Sequence, residues 1–231
     1  LLVLHSRLGQ YDPLEIDYLI YGERSLMEYW AHAASIVLTD HYPVHQYMMR
    51  RYPDGGSAWS KRLEKWVDDH PDMREHIMSH IREHGASFSR DIKYDAGKWG
   101  TEKGWSGSNL NRMIDYLWTT GELMVALREG IQRAWDVSER LLPDWTPQDV
   151  WEEDTITRFS TQVAVKALGV TDDKQIKKHY TRGRYPNLSQ ILPQLSQEGV
   201  LENVEIRHED GGTLPGDWVM HTEDIPLLER I

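Results

Sequence analysis

From Asn109 the chain reads NLNRMIDYLWTTGELMVALREGIQRAWDVSERLLP. Leu110, Met113, Ile114 and Leu117 recur at i, i+3, i+4 and i+7, one face of a helix. Asn109 stands before them as an N-cap, whose side-chain oxygen can accept a free N–H of the first turn. Gly121 follows as the residue that ends the helix in a left-handed conformation. Leu123, Val125 and Leu127 then alternate like a half-buried strand. Glu129-Gly130 reads as a tight turn, and Arg133, Trp135 and Val137 alternate on the way back. Helix, glycine, strand, turn, strand is the second half of a winged helix, a helix-turn-helix with an appended hairpin that usually partners duplex DNA.

The same order recurs 78 residues later, in NLSQILPQLSQEGVLENV from Asn187. Asn109 maps to Asn187, and Leu110, Met113, Ile114 and Leu117 map to Leu188, Ile191, Leu192 and Leu195. Gly121 and Leu123 map to Gly199 and Leu201 without a gap, the signature of an internal repeat. Pro193 departs from the pattern, because a proline inside a helix removes a hydrogen bond and would kink the helix or delay its start.

Upstream, Asp12 and Pro13 open a helix as cap and first residue. A second helix is expected from about Leu26 to Val37. Two more are expected over Ser60–Val67 and Met73–His84, separated by Asp69-His70-Pro71-Asp72. Ser87 to Ile92 carries hydroxyl cap chemistry and would start the short helix before a recognition helix. Lys98 to Ser108 is a glycine-rich connection. Pro143 to Pro147 reads as a linker. Downstream, helices are expected from Ile156 to Gly169 and from Thr171, then a hairpin turning at Asp210-Gly211-Gly212 and returning over Trp218–His221. The expected class is mainly α with small β-hairpins (α+β), built of tandem winged helix-turn-helix units. Residues 1–72 form a helical segment following a further winged helix, 73–145 and 150–222 are winged helices, and 223–231 begin another segment.

Composition constrains the partner more than the fold. The 231 residues are 39% hydrophobic and 27% charged, with no apolar run long enough to span a membrane. The absence of cysteine excludes disulfides and thiol chemistry and fits a cytoplasmic location. The net charge of −11 argues against nucleic acid, which a basic footprint usually announces. Its distribution argues the other way: seven basic residues face two acids between Ile156 and Gln190, immediately before and into the second candidate recognition helix. A solvated helix face explains such a run equally well.

Two constellations invite chemistry. His76, His80 and His84 lie at i, i+4 and i+8, but the third cannot easily reach an ion held by the first two, so a polar helix face is the expectation and no metal is called for. On the expected Leu26–Val37 helix, Glu28, His32 and Ser35 share one face and could do acid–base work or form a structural network.

Several of these stretches together resemble a family. SRLGQYDPLEIDYLIYGERSLMEYWAHAAS, the Gly-Glu-Leu-Met-Val wing and the run from Arg133 to Pro143 are similar to the bacterial crosslink-repair DNA glycosylases, the family of the azinomycin-resistance glycosylase. Trp135 stands where that family usually has tyrosine. The resemblance implies tandem winged helices forming a concave body on double-stranded DNA, acting as a monomer without cofactor. It implies hydrolysis of the N-glycosidic bond of alkylated or crosslinked purines. The family's catalytic Gln-x-Gln or Gln-x-Asp motif is expected upstream of Leu1, so no catalytic residue is carried over. Glu28, His32 and Ser35 match its Glu-x-x-x-His-x-x-Ser pattern and become candidates beside the cleft. The DNA-contacting candidates are Lys103, Asn109, Arg112, Arg128 and Arg133 around the first unit. Lys177, Lys178, Arg182, Arg184, Ser189 and Gln190 serve the second. The alternatives are a non-enzymatic winged-helix regulator, which should dimerise on one sequence, and a helical interaction module that never touches DNA.

Overall fold

A computed structural model describes residues 2–31, 33–53, 57–93 and 109–228. His32 and the whole glycine-rich connection, Lys103 included, therefore lie outside the described residues. Among the described residues helices dominate, and the strands form three antiparallel sheets of two, three and two strands. The chain divides into two compact units, Leu1–Gln148 and Asp149–Ile231.

The first unit opens with α1 (Leu2–Leu8) and α2 (Pro13–Asp17). Asp12 caps α2 by accepting from the Leu14 N–H at 2.9 Å, with Pro13 at the first helical position. A π-helical turn over Tyr18–Gly22 continues it. The expected helix from Leu26 to Val37 is instead a hairpin of β1 (Leu26–Trp30) and β2 (Ala34–Leu38). Met27 and Tyr29 bury on one face, as strand alternation requires. The Tyr29 hydroxyl donates to the Thr119 carbonyl at 3.2 Å, fastening the hairpin to a helix ninety residues away. That tertiary attachment overrides the helical spacing of the local sequence.

Next come α3 (Tyr42–Arg50), α4 (Ala58–Asp68) and α5 (Pro71–His84), the last two near the expected bounds. Ser57 caps α4 by accepting from the Ser60 N–H at 3.0 Å. Ser87 and Phe88 do not start a helix; they form β3, paired with the strand Gln132–Val137. After α6 (Asn109–Thr119) follow β4 (Leu123–Glu129), β5 (Gln132–Val137) and the short α7 (Ser138–Leu141), in sheet order β3-β5-β4. Asn109 is already helical in α6. Its predicted face is the buried one: Met113, Ile114 and Leu117 pack with Leu63, Ile77, Ile81 and Trp135 in one core. Gly121 has φ +80°, and a Cβ there would meet the Met49 sulfur at 2.4 Å, so the turn out of α6 demands glycine twice over.

The second unit repeats the order. It runs α8 (Glu153–Leu168), a single bridging residue Thr171 paired with Val219, α9 (Asp173–Lys178), α10 (Leu188–Gln197), β6 (Leu201–Val204) and β7 (Trp218–His221). A 3-10 turn over Thr222–Asp224 and α11 (Ile225–Leu228) follow. Leu188, Ile191 and Leu195 bury with Ile176, Leu201 and Val219. Pro193 neither delays nor ends α10, which starts at Leu188. Asn187 is no side-chain cap: it takes a left-handed conformation with φ +59°, and its amide donates to Asp154 at 2.9 Å. Gly199 has φ +73°, with nothing within 4 Å of a Cβ built on it.

Candidate nucleic-acid interface

Glu28 is the electrostatic centre of the first unit. It points off β1 and is 7% exposed. Arg128, near the end of β4, donates through Nε to one carboxylate oxygen at 2.7 Å and through a terminal nitrogen to the other. The Tyr21 hydroxyl donates at 2.6 Å, and Arg133 on β5 brings its Nε to 3.4 Å. Burial alone would push the Glu28 carboxyl up. The hydrogen bonds from Arg128 and Tyr21 and the charges of Arg128 and Arg133 outweigh it and hold the carboxyl below its ordinary value. Burial and the neighbouring carboxylate push the Tyr21 phenol well up, so it stays a neutral donor. A carboxylate saturated by such donors has little proton affinity to offer, and its role is to hold two arginines.

Ser35, another member of the expected triad, does not join it. Glu28 lies opposite Ile36 and Ser35 opposite Tyr29, so Glu28 and Ser35 project from opposite faces of the hairpin. Ser35 donates to the Ala33 carbonyl at 3.0 Å. His32 lies outside the described residues. The one-face geometry assumed a helix, and across the hairpin Glu28 and Ser35 fall on opposite faces.

Arg133 stacks over Trp118, with its guanidinium carbon 4.7 Å from the ring centroid, and the Trp118 indole N–H donates to the Glu28 carbonyl at 3.2 Å. Arg112 on α6 lies over the Trp66 ring at 4.5 Å. Thus Arg112, Arg128 and Arg133 are each engaged within the unit. The run from Arg133 to Pro143 is likewise structural. Asp136 is buried and accepts from Arg140 at 2.7 Å, while Arg140 also donates to the Arg82 carbonyl at 3.0 Å at the C-terminal end of α5. A cation there satisfies terminal carbonyls and complements the helix dipole. His76 on α5 meets the Lys93 carbonyl, His84 meets the His80 carbonyl, and the His80 and His84 rings stack 4.4 Å apart.

In the second unit the basic run is partly spent. Arg158 donates to Glu198, Lys166 to Glu223 at 2.6 Å and Lys177 to Asp173 at 2.7 Å. Lys178 and Arg182 are exposed, and Arg184 is half-buried. Ser189 and Gln190 are exposed in the first turn of α10, which carries no charged residue. Asp172, Asp173 and Asp217 line a cavity of about 620 Å³ beside α10, making that flank acidic.

Gln10-Tyr11-Asp12 is itself a Gln-x-Asp. Its Asp12 carboxylate is committed to capping α2, so the structure gives that spacing a local use. Among the described residues no cluster of three or more His, Asp or Glu side chains could hold a metal ion, and no helix is long and apolar enough to cross a membrane.

Helices trailed by small antiparallel hairpins, in two units, are an architecture shared with a solved DNA glycosylase. The Streptomyces sahachiroi DNA glycosylase AlkZ superposes with a TM-score of 0.63 over 94% of this chain, at 13% identity. This chain spans 58% of that structure. The family itself is shown by sequence: the model for AlkZ-like DNA glycosylases matches residues 1–228, and the chain belongs to that family.

Proposed function

We propose that the chain is the DNA-binding body of a DNA repair glycosylase that hydrolyses the N-glycosidic bond of alkylated or crosslinked purines. Family membership over residues 1–228 carries this reading. In it, the elements from α5 to β5 and from α8 to β7 are tandem winged helices. Helices α6 and α10 are the recognition helices, and the hairpins after them are the wings. The candidates with most exposure for phosphate contact are Lys177, Lys178 and Arg182, with Arg184 beside them and Ser189 and Gln190 at the start of α10. Arg128 and Arg133, held by Glu28, set the shape and polarity of the first wing. Asn109 lies in α6, and Lys103 stays a candidate on the sequence alone.

The reaction makes modest demands on side-chain chemistry. Alkylation at N7 gives the purine a positive charge, and the base becomes a good leaving group without a metal or redox cofactor. The protein must place a water and stabilise an oxocarbenium-like sugar. We assign neither role to a residue of this chain, since Glu28 is saturated and Asp12 caps a helix. The test is release of N7-methylguanine from alkylated duplex DNA by the full-length gene product. Release above the spontaneous rate is expected. Binding to one DNA sequence as a dimer, with no release, would replace the glycosylase by a winged-helix regulator.

A further inference from the structure

Strand β2 has an outer edge to which no strand pairs among the described residues, since its sheet holds only β1 and β2. Just past its end the Thr39 N–H donates to the Ser25 carbonyl at 2.9 Å, so these two residues form a hydrogen-bonded pair. Alternation makes Met27 with Val37 and Tyr29 with Ser35 bonded pairs too. The N–H and C=O groups of Ala34, Ile36 and Leu38 therefore point to the outer side. The same residues expose their side chains, Ile36 to 47% and Leu38 to 46%. Trp30, opposite Ala34 on that face, is also exposed.

Such an edge is a template for another strand, and folded proteins blunt it with charge, a bulge, proline or shortness. Other edges of this molecule are blunted in those ways. Strand β3 is two residues long, β4 carries Arg128, Glu129 and a register shift between Val125 and Leu127, and β6 carries Glu202. Strand β2 reads Ala-Ser-Ile-Val-Leu, with no charge, no proline and an unbroken register. The other two hairpins show what this edge accepts. The return strand of each takes a further antiparallel partner: β5 takes β3, and β7 takes Thr171 through bonds of 2.9 and 2.8 Å. Strand β2 is the return strand of the first hairpin, and its corresponding edge is open.

We infer that this edge takes the same strand of a second copy of the chain. Antiparallel two-fold pairing centred on Ile36 sets Ile36 against its own copy and Ala34 against Leu38, small against large. It closes about six backbone hydrogen bonds. No charged side chain lies on either paired strand, although each chain carries a net −11. Trp30, Ala34, Ile36 and Leu38 become one apolar stripe across a four-stranded sheet. The pairing consumes the open edge of both copies, so association stops at a dimer. An apolar ligand would cover the side chains and leave the backbone groups unmatched, whereas a strand satisfies both. The buried area is small, so the dimer is weak. It needs no DNA, and it departs from the monomer that the family resemblance implies.

Sedimentation velocity of the chain without DNA, between about 1 and 300 µM, reads the association. The mass is expected to rise from one 27.0 kDa chain toward two, with a midpoint of roughly 10–100 µM. Ile36→Lys sets like charges directly opposite each other and should weaken the dimer at least about tenfold. Cysteine variants read the register, because the chain has no cysteine of its own. Ile36→Cys brings two thiols within the roughly 4.4–6.8 Å Cα separation of a disulfide, while the Leu38→Cys pair lies about 13 Å apart. With diamide taking up the two electrons and two protons, Ile36→Cys should form the covalent dimer at least about tenfold faster than Leu38→Cys. That comparison decides the matter if Ile36→Lys fails to fold. A single-chain mass at every concentration, aggregates beyond a dimer, a dimer that Ile36→Lys leaves intact, or equal cross-linking of the two cysteine variants overturns the pairing. Each of those outcomes leaves the DNA reading untouched.

Discussion

Helix α6 with its hairpin and helix α10 with its hairpin share a pattern 78 residues apart but sit in opposite electrostatic surroundings. In the first unit two buried carboxylates hold arginines, Glu28 holding Arg128 and Arg133 and Asp136 holding Arg140, beside exposed pairs such as Arg90–Glu129. In the second, the pairs are exposed, and Lys178 and Arg182 stand in solvent beyond them. The glycines differ in the same sense, since Gly121 is wedged against Met49 and Gly199 faces open space. One repeat has become a fastened scaffold and the other keeps its cations at the surface. A shared sequence pattern therefore fixes the backbone without fixing the use.

The largest break in this comparison should come from Glu28→Gln. It leaves two arginines facing each other around a neutral amide. Removing one partner of a buried pair costs about 3–5 kcal/mol, and exposure of the arginine side chains to 33% and 24% places this case at about 3. The corresponding change in the exposed pair of the second unit, Asp173→Asn, should cost under about 1 kcal/mol. Urea unfolding of the two variants measures both. Equal costs would remove the distinction between the units.

Acid should probe the same scaffold. The Glu28 carboxyl is depressed in the folded state, so its contribution is complete above the unfolded pKa of about 4.3 and is lost as pH falls through the lower folded value. His45, 2% exposed, has its imidazole pushed down to about 3 by burial, with His41 adding to the effect. The unfolded chain then takes up a proton near pH 6.5 that the folded chain refuses. Stability should fall by up to about 1.4 kcal/mol per pH unit between about 6.5 and 3. His45→Leu should flatten that decline between pH 6.5 and 5, measured as the midpoint of urea unfolding. An unchanged slope would exclude His45 as its source.

A smaller difference should separate the two glycines. Gly199→Ala meets only the left-handed backbone cost of about 1 kcal/mol. Gly121→Ala adds the displacement of Met49 and should lose about 2 kcal/mol. Thermal melts of the pair read the difference directly.

Much of the frame was legible in the sequence because helical periodicity is local. The faces of α6 and α10, the glycines ending them, the Asp12 cap and the hairpins after the two helices all follow from residues within a few positions of one another. The hairpin β1–β2 was not legible. The sequence between its two strands has neither Gly nor Pro to announce a turn, and its docking partner Thr119 lies ninety residues on. The arginine clamp on Glu28 closes over a hundred residues, so no spacing rule reaches it. The basic run was overcounted for the same reason. Glu198 and Glu223 arrive from outside the window to pair with Arg158 and Lys166.

The most direct test of the division of labour is duplex binding across a salt series. Lys177, Lys178, Arg182 and Arg184 are changed together to alanine, with Arg128→Ala alongside as the fastened comparison. Each phosphate contact contributes about 0.9 to the slope of log K against log salt. The fourfold variant is predicted to lose about 2–3 from the slope, while Arg128→Ala lowers stability and leaves the slope unchanged. A fourfold variant with the slope of the unmodified chain would contradict the account.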